Sequence, residues 1–340
     1  MSRIYLNAAS HGLPSRTTLK RVRAHLDLEC EIGPFAAAEQ AQDAIAQVYE
    51  AAAQFIGAPV EDVALSSTTT ATLAGLLPGV VKSGQTVLVA PQEWGDNLRV
   101  LERLGAVVKV LPHLEAGDLS AEGWRAAITE DVAAIMAPLV SSITGARIPV
   151  EALGAFARPD GCRLIVDAAQ ALGQVKVDVG TLGADVLVGT CRKWLRGPRT
   201  TALAWRSPSV EAVVPRAEFR PNDGNVALQL GLGVALGEAG LSLALRDRAW
   251  LAAQEIGLGT WSGAAPETGA LCLAIPSARA DAVQDALAAA GILVKFANPK
   301  RDEPHLSAGP ANHVPMRIAA HDYNNDAEID ALTTALRSAR

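Results

Sequence analysis

The chain has 340 residues, 49% of them hydrophobic and 19% charged, with a formal net charge of −6. This length can bury a large core in two lobes, and the composition excludes a disordered chain. The acidic balance gives no electrostatic footprint for nucleic acid, and it names no substrate.

The opening stretch, residues 1–12, holds one arginine and no apolar run, so it does not read as a secretory leader. Residues 17–28 and 36–55 read as helices, dominated by Ala, Glu and Gln. A Ser/Thr run at 66–70 opens a third helical stretch that continues to Leu77. Short apolar runs then alternate with helical ones, and strands are expected at 86–90, 107–111, 132–137, 163–166, 186–188 and 201–205. Uniformly apolar strands separated by helical segments indicate a parallel sheet covered on both faces. After residues 222–225 a long Gly/Ala/Leu helical region is expected over 226–255. The last part reads as strand 271–275, helix 279–290, a further strand and a terminal helix 327–338, which makes a small α+β lobe. The expected division is a large domain at 15–240, with 1–14 and 241–340 forming the smaller one.

No apolar run reaches the roughly 18–20 residues that span a bilayer. The four cysteines, Cys30, Cys162, Cys191 and Cys272, are scattered without a C-x-x-C pair, so neither a disulfide framework nor a metal site is expected. A cytoplasmic protein with no membrane or nucleic-acid partner is the expectation.

Open α/β sheets bind ligands at the carboxyl ends of their strands. Two such ends carry informative residues. One strand runs into Asp167-Ala168-Ala169-Gln170, and another into Gly189-Thr190-Cys191-Arg192-Lys193-Trp194. Alone, the aspartate reads as a helix N-cap and the lysine as a solvated side chain. Together they supply what pyridoxal 5′-phosphate (PLP) requires: an amine for its aldehyde, and a carboxylate that keeps its ring nitrogen protonated. Lys193 is the expected Schiff-base former, Asp167 the ring-nitrogen partner, and Gln170 a donor to the phenolic oxygen.

The block Asp167 to Gly173, then Gly183-Ala184-Asp185, Arg192-Lys193-Trp194-Leu195 and Gly197-Pro198 resembles the class V aminotransferases, as does the 193 − 167 = 26 residue spacing. The resemblance extends over nearly the whole chain. It implies PLP fold type I: a large domain with a mostly parallel central sheet flanked by helices, plus a small C-terminal α+β domain. It also implies a homodimer, PLP as cofactor and a small amino-acid substrate. In that family the phosphate-binding turn corresponds to residues 66–71, which implies that Thr69 and Thr70 hold the phosphate at a helix N-terminus, although the family's glycine and glutamate are replaced by Thr68 and Ala71. The family's Glu-His pair corresponds to Glu93-Trp94, which implies that Trp94 stacks on the cofactor ring. Thr190 and Arg192 are implied phosphate ligands. Met316-Arg317, followed by His321 and Tyr323-Asn324, resembles the segment whose arginine clamps the substrate α-carboxylate, a role implied for Arg317. Asn7 and His11 match the opening segment that lies over the active site. The loop 222–225 matches the one that reaches the neighbouring subunit's phosphate, but Asp223 stands where the family has threonine.

Cysteine desulfurases need a nucleophilic cysteine on the loop before the carboxylate-clamping arginine, and residues 294–317 contain none. Within the family, the motifs look most like the C–S lyase of ergothioneine biosynthesis. The expected reaction is therefore β-elimination from an S-substituted cysteine or its sulfoxide, giving pyruvate, ammonia and a sulfur product. Transamination or epimerisation of another amino acid would use every cofactor residue named above and stays open. So do a desulfurase and a PLP-binding protein without turnover.

Overall fold

A computed structural model describes residues 3–115, 118, 120–214, 219, 224–307 and 309–339. Asn222 and Asp223, expected near a neighbouring phosphate, lie outside the described residues.

The first half opens with β1 (Ile4–Tyr5), α1 (Arg16–Ile32), α2 (Pro34–Gln40) and α3 (Gln42–Ile56). Then come β2 (Val63–Ser66), α4 (Thr69–Val80), β3 (Thr86–Val89), α5 (Gly95–Leu104), β4 (Val107–Val110), α6 (Glu122–Arg125) and β5 (Val132–Pro138). They are followed by α7 (Val150–Ala155), β6 (Arg163–Asp167), α8 (Val179–Leu182), β7 (Val186–Thr190) and β8 (Ala202–Arg206). Strands β2 to β8 form a seven-stranded sheet in the order β2-β8-β7-β6-β5-β3-β4. The strands from β7 to β4 run parallel, with apolar side chains packed on both faces, as continuous Val/Ile/Leu runs require.

The order reverses between β5 and β6 on one side and β3 and β4 on the other, so ligand-facing loops collect at the strand ends. Strand β8 departs from the parallel expectation, since it pairs antiparallel with both β7 and β2. The stretch 191–201 between β7 and β8 contains no helix, and a parallel return requires a crossover that is usually helical.

The expected helix over 226–255 is two helices, α9 (Val226–Gly237) and α10 (Ala244–Glu255), separated by a turn that contains Gly240. The expected helix over 36–55 is likewise divided, at Ala41, into α2 and α3.

The rest builds on a three-stranded antiparallel sheet of β9 (Leu271–Pro276), β11 (Lys295–Phe296) and β12 (His313–Ile318), in the order β11-β12-β9. It also holds α11 (Ala280–Ala289), β10 (Ile292–Leu293), α12 (Pro299–Asp302) and α13 (Asp326–Ser338), whose N-terminus carries a capping box of Asn325 and Glu328. Leu271, Leu273, Val283, Leu287, Ile318, Ile329 and Leu332 fill a core of their own, to which Leu6 of the N-terminal segment also belongs. That segment pairs with β10 through β1 and then bridges Ala319 at Asn7, which carries it along the cleft between the two sheets.

Candidate active site

Strands β6 and β7 are parallel neighbours, with Asp167 opposite Val188, so the two chemistry-bearing ends lie side by side. Asp167 Oδ1 accepts a hydrogen bond of 2.7 Å from the amide of Ala169, closing the turn after the strand. Its Oδ2 accepts one of 2.9 Å from Asn97 Nδ2, which also donates to Glu93 Oε1 at 2.8 Å. Glu93 precedes α5 by two residues and Asn97 lies in its first turn, so the i, i+4 spacing stacks them. All three are buried, and two carboxyl groups around one amide do not share ionisation easily. Burial, then the charge of Asp167, pushes Glu93 up to about 8. Burial also raises Asp167, while Lys193 pulls it back. Asp167 has two strong donors and a facing amine, so it holds the charge, and Glu93 is the neutral member at pH 7.

Lys193 stands on a tight turn fixed at several points. Arg196 and Gly197 donate their amides back to Lys193 and Cys191 at 3.0 and 2.8 Å, and Gly12 donates to Arg192 at 2.8 Å. Gly173 makes room for this turn: at φ 96°, a Cβ there would stand 2.4 Å from the Leu195 nitrogen. Burial pushes the Lys193 amine down to about 7, even though Asp167 opposes the shift. A substantial share of the amine is therefore neutral near pH 7. Capture of added PLP by the apoprotein, followed by absorbance in a rapid mixer, is expected to accelerate up to about pH 7 and to level off above it. A rate still climbing steeply through pH 9 would show an ordinary solvated lysine.

Around these groups lies a cavity of about 420 Å³. Thr68, Thr69 and Thr70 line it at the start of α4, which Thr68 caps by accepting from Ala71. Thr69 Oγ1 is buried without a partner, and Thr70 donates to Asn97 Oδ1 at 3.3 Å. Trp94 lines it as well, its ring centre 5.9 Å from Lys193 Nζ. Thr190 and Arg192 also line the cavity; Thr190 donates to the Thr201 carbonyl at 3.3 Å and the Arg192 guanidinium to the Ser10 carbonyl. Gln170 donates to the Ala9 carbonyl at 3.0 Å and accepts from Trp194 Nε1 at 2.9 Å.

Arg317 reaches the cavity from β12, 1% exposed. It donates to the Ser142 carbonyl, to Ser10 Oγ at 2.7 Å and to Asn7 Oδ1 at 3.5 Å, and its Nε has no partner. Burial lowers its pKa to about 10, well above neutrality, so it stays a cation. Of the N-terminal segment, Ala9 and Ser10 line the cavity, while Asn7 touches it through Arg317. His11 stands outside the lining with Nδ1 3.0 Å from the Arg192 carbonyl.

Sequence reasoning missed Asn97, Ser10, Ser142 and Lys295. Only Asn97 left a legible signal, its i+4 spacing from Glu93. No group of His, Cys, Asp and Glu among the described residues is arranged to hold a metal ion.

A strand-end amine and carboxylate, an unpartnered threonine hydroxyl at a helix start and a cavity between them fit PLP, and together with the sheet they define an enzyme of the PLP kind. The chain belongs to the aminotransferase class-V family of PLP enzymes, whose model matches residues 5–219. It is 30% identical over 250 residues to a probable hercynylcysteine sulfoxide lyase of Mycobacterium tuberculosis, covering 69% of this chain and 62% of that protein. It is 27% identical over 219 residues to a probable cysteine desulfurase of Methanothermobacter thermautotrophicus, covering 61% of this chain and 54% of that one. The matches thus span little more than half of these relatives' lengths. A solved complex of the cystine C–S lyase C-DES with cysteine persulfide superposes with a TM-score of 0.84 at 18% identity, covering 98% of this chain and 97% of that one.

Proposed function

We propose that this enzyme is a C–S lyase performing β-elimination on an S-substituted cysteine or cysteine sulfoxide, with pyruvate, ammonia and a sulfur product. The observation that carries the reading is a cavity with an amine, a carboxylate and a guanidinium but no thiol in its lining. Cys272 is the cross-strand partner of Arg317, yet it is 2% exposed and burial pushes its thiol up to about 12. Cys191, beside the catalytic turn, is also pushed up to about 12 by burial. A protonated, enclosed thiol cannot serve as the nucleophile that desulfuration needs. Likeness to the probable hercynylcysteine sulfoxide lyase supports the same reading.

In this proposal PLP supplies an aldehyde and a protonated ring that draws electrons from Cα. Lys193 would provide the amine that holds the aldehyde and would serve as the base for the substrate's Cα proton. Asp167, positioned by Asn97 and Ala169, would keep the ring nitrogen protonated. Trp94 would cover the ring face. Gln170 has one Nε2 hydrogen beyond its bond to Ala9, which would serve the phenolic oxygen. Thr69, Thr70, Thr190 and Arg192 would hold the phosphate, the first two with the amides of the α4 N-terminus. Arg317 grips the substrate carboxylate with Ser10 beside it, and Asn7 steadies the guanidinium; His11 bears on the site through Arg192.

The proposal includes a homodimer, a cytoplasmic location and the division into 15–240 against 1–14 with 241–340. Leu19, Leu26 and Ile32 on α1 and Phe35 on α2 are exposed apolar side chains suited to contact with a second copy. No helix among the described residues is long and apolar enough to cross a membrane.

Product analysis tests the reaction. PLP-loaded protein is offered cysteine, cysteine S-conjugates and their sulfoxides, and pyruvate and ammonia are assayed. Pyruvate from the conjugates or their sulfoxides, with little from free cysteine, is expected. Persulfide or sulfide with alanine as the product would turn the assignment to desulfuration. Conversion of other amino acids with no pyruvate would turn it to transamination or epimerisation.

A further inference from the structure

A second amine lines the cavity, and the roles assigned above do not use it. Lys295 on β11 is the direct partner of Arg317 in the antiparallel β11–β12 pair, so both side chains leave the same face of the small sheet. Its Nζ stands 5.7 Å from the centre of the Trp94 ring, and Lys193 Nζ stands 5.9 Å from the same centre. The two amines thus approach one ring from different sheets, Lys193 from the turn after β7 and Lys295 from β11. A substrate whose carboxylate rests on Arg317 has Lys295 beside it while its Cα faces Lys193.

Lys295 is both held in place and able to give a proton. Its Nζ lies 2.7 Å from Asp302 Oδ2, and Asp302 is wholly buried and also paired with Arg301 at 2.8 Å. An ammonium group has three donors, so Asp302 fixes the side chain and leaves donors for the cavity. Burial, then the charge of Arg317, lowers the Lys295 pKa from the ordinary lysine value, with Asp302 opposing the shift. It is therefore a stronger acid than a solvated lysine, and Asp302 keeps it charged. The side chain is 20% exposed, which lets solvent return a proton that it gives away. Lys193 takes the Cα proton in the proposed elimination, which leaves the departing sulfur without a named donor.

The geometry points to Lys295 as the general acid that protonates the sulfur as it leaves. The inference rests on the C–S lyase reading and divides the elimination between two amines. The Cα proton passes to Lys193, and the Cβ–S bond breaks with its electron pair going to sulfur. A proton from Lys295 Nζ meets that pair, so the product leaves as a neutral thiol. Lys295, left neutral, takes a proton from solvent, to which Lys193 gives up the one it removed, and the protons balance.

The test uses PLP-loaded protein and two substrates that differ in how readily their sulfur leaves, S-methyl-L-cysteine and S-(p-nitrophenyl)-L-cysteine. Pyruvate release is measured for each, and exchange of the Cα proton in heavy water is followed by NMR as a reading of the step before sulfur departs. Lys295→Met is expected to lose about 10²-fold in pyruvate release from the methyl compound, the order that a general acid supplies, and little from the nitrophenyl compound, whose thiolate leaves unaided. Cα exchange stays at or above the wild-type rate. Lys295→Arg keeps the charge and the tie to Asp302 but does not give up its proton, so it shows the same selective loss, and it carries the test if the methionine variant fails to fold. Equal losses from the two substrates, or loss of Cα exchange together with pyruvate, would mark a residue that only shapes the site and would overturn the acid. No loss in either variant also overturns it and leaves Lys193 to return the proton. In both of those cases pyruvate from the wild type still upholds the lyase reading. A wild type that exchanges Cα protons but releases no pyruvate from either compound sinks the lyase reading, and the acid with it.

Discussion

Lys193→Ala is expected to reduce turnover to background, by at least about 10⁴-fold, because it removes the cofactor's anchor and the base together. PLP added to the variant should not give the absorption of a lysine-bound cofactor, and dialysis should strip it quickly. The apoprotein should still fold. A lysine whose pKa drops from 10.5 to about 7 weighs against the folded state increasingly as pH falls through that window. Its removal should therefore raise the melting temperature at pH 6 relative to the wild type, with the gain fading toward pH 10. Turnover within about tenfold of wild type would place the chemistry on another residue.

Asp167→Asn keeps the shape and removes the charge. Without a carboxylate the ring nitrogen loses its proton near neutral pH, and elimination is expected to fall by about 10²–10⁴-fold. The bound cofactor should show a pH-dependent spectrum in the neutral range where the wild type shows none. A merely structural aspartate would leave that spectrum unchanged. Stability again moves the opposite way. Burial raises the Asp167 pKa above its unfolded value, so its contribution is fully present below the unfolded pKa of 3.8 and is lost as pH rises. The apo variant should match the wild type in acid and gain on it toward neutral pH, as read by thermal melts at the two conditions.

Asp167 and Lys193 were legible in the sequence as a pair because each lies at or just after the carboxyl end of an apolar strand, where open α/β sheets bind ligands. Arg317 was legible only through resemblance, since an arginine in a short strand is otherwise a surface residue. Lys295 left no trace for a simple reason: its meaning comes from the register of β11 against β12, and register depends on tertiary pairing. Asn97 reaches Asp167 across 70 positions of chain. Among the elements, β2 was missed because its four residues run straight into the Ser/Thr stretch read as a helix start. The long helix over 226–255 was overcalled because alanines and leucines continue across the break and mask the glycines at 237 and 240.

Glu303 draws the two sheets together. It follows α12 in the smaller core, yet it is fully buried against the turn after β5, accepting bonds from Ser141 Oγ at 2.9 and 3.0 Å, from the Ile143 amide at 3.1 Å and from the Ser142 amide. Ser142 thus donates to Glu303 through its nitrogen and accepts from Arg317 through its oxygen, so one residue after β5 is gripped twice by the smaller unit. Lys193 and Arg317, which meet one substrate in the proposed reaction, belong to different cores, and this residue ties the two together. Partial denaturation that frees the smaller core would silence the enzyme while the large sheet, and most of the helical signal, stayed intact. Inactivation in dilute denaturant should accordingly precede loss of secondary structure.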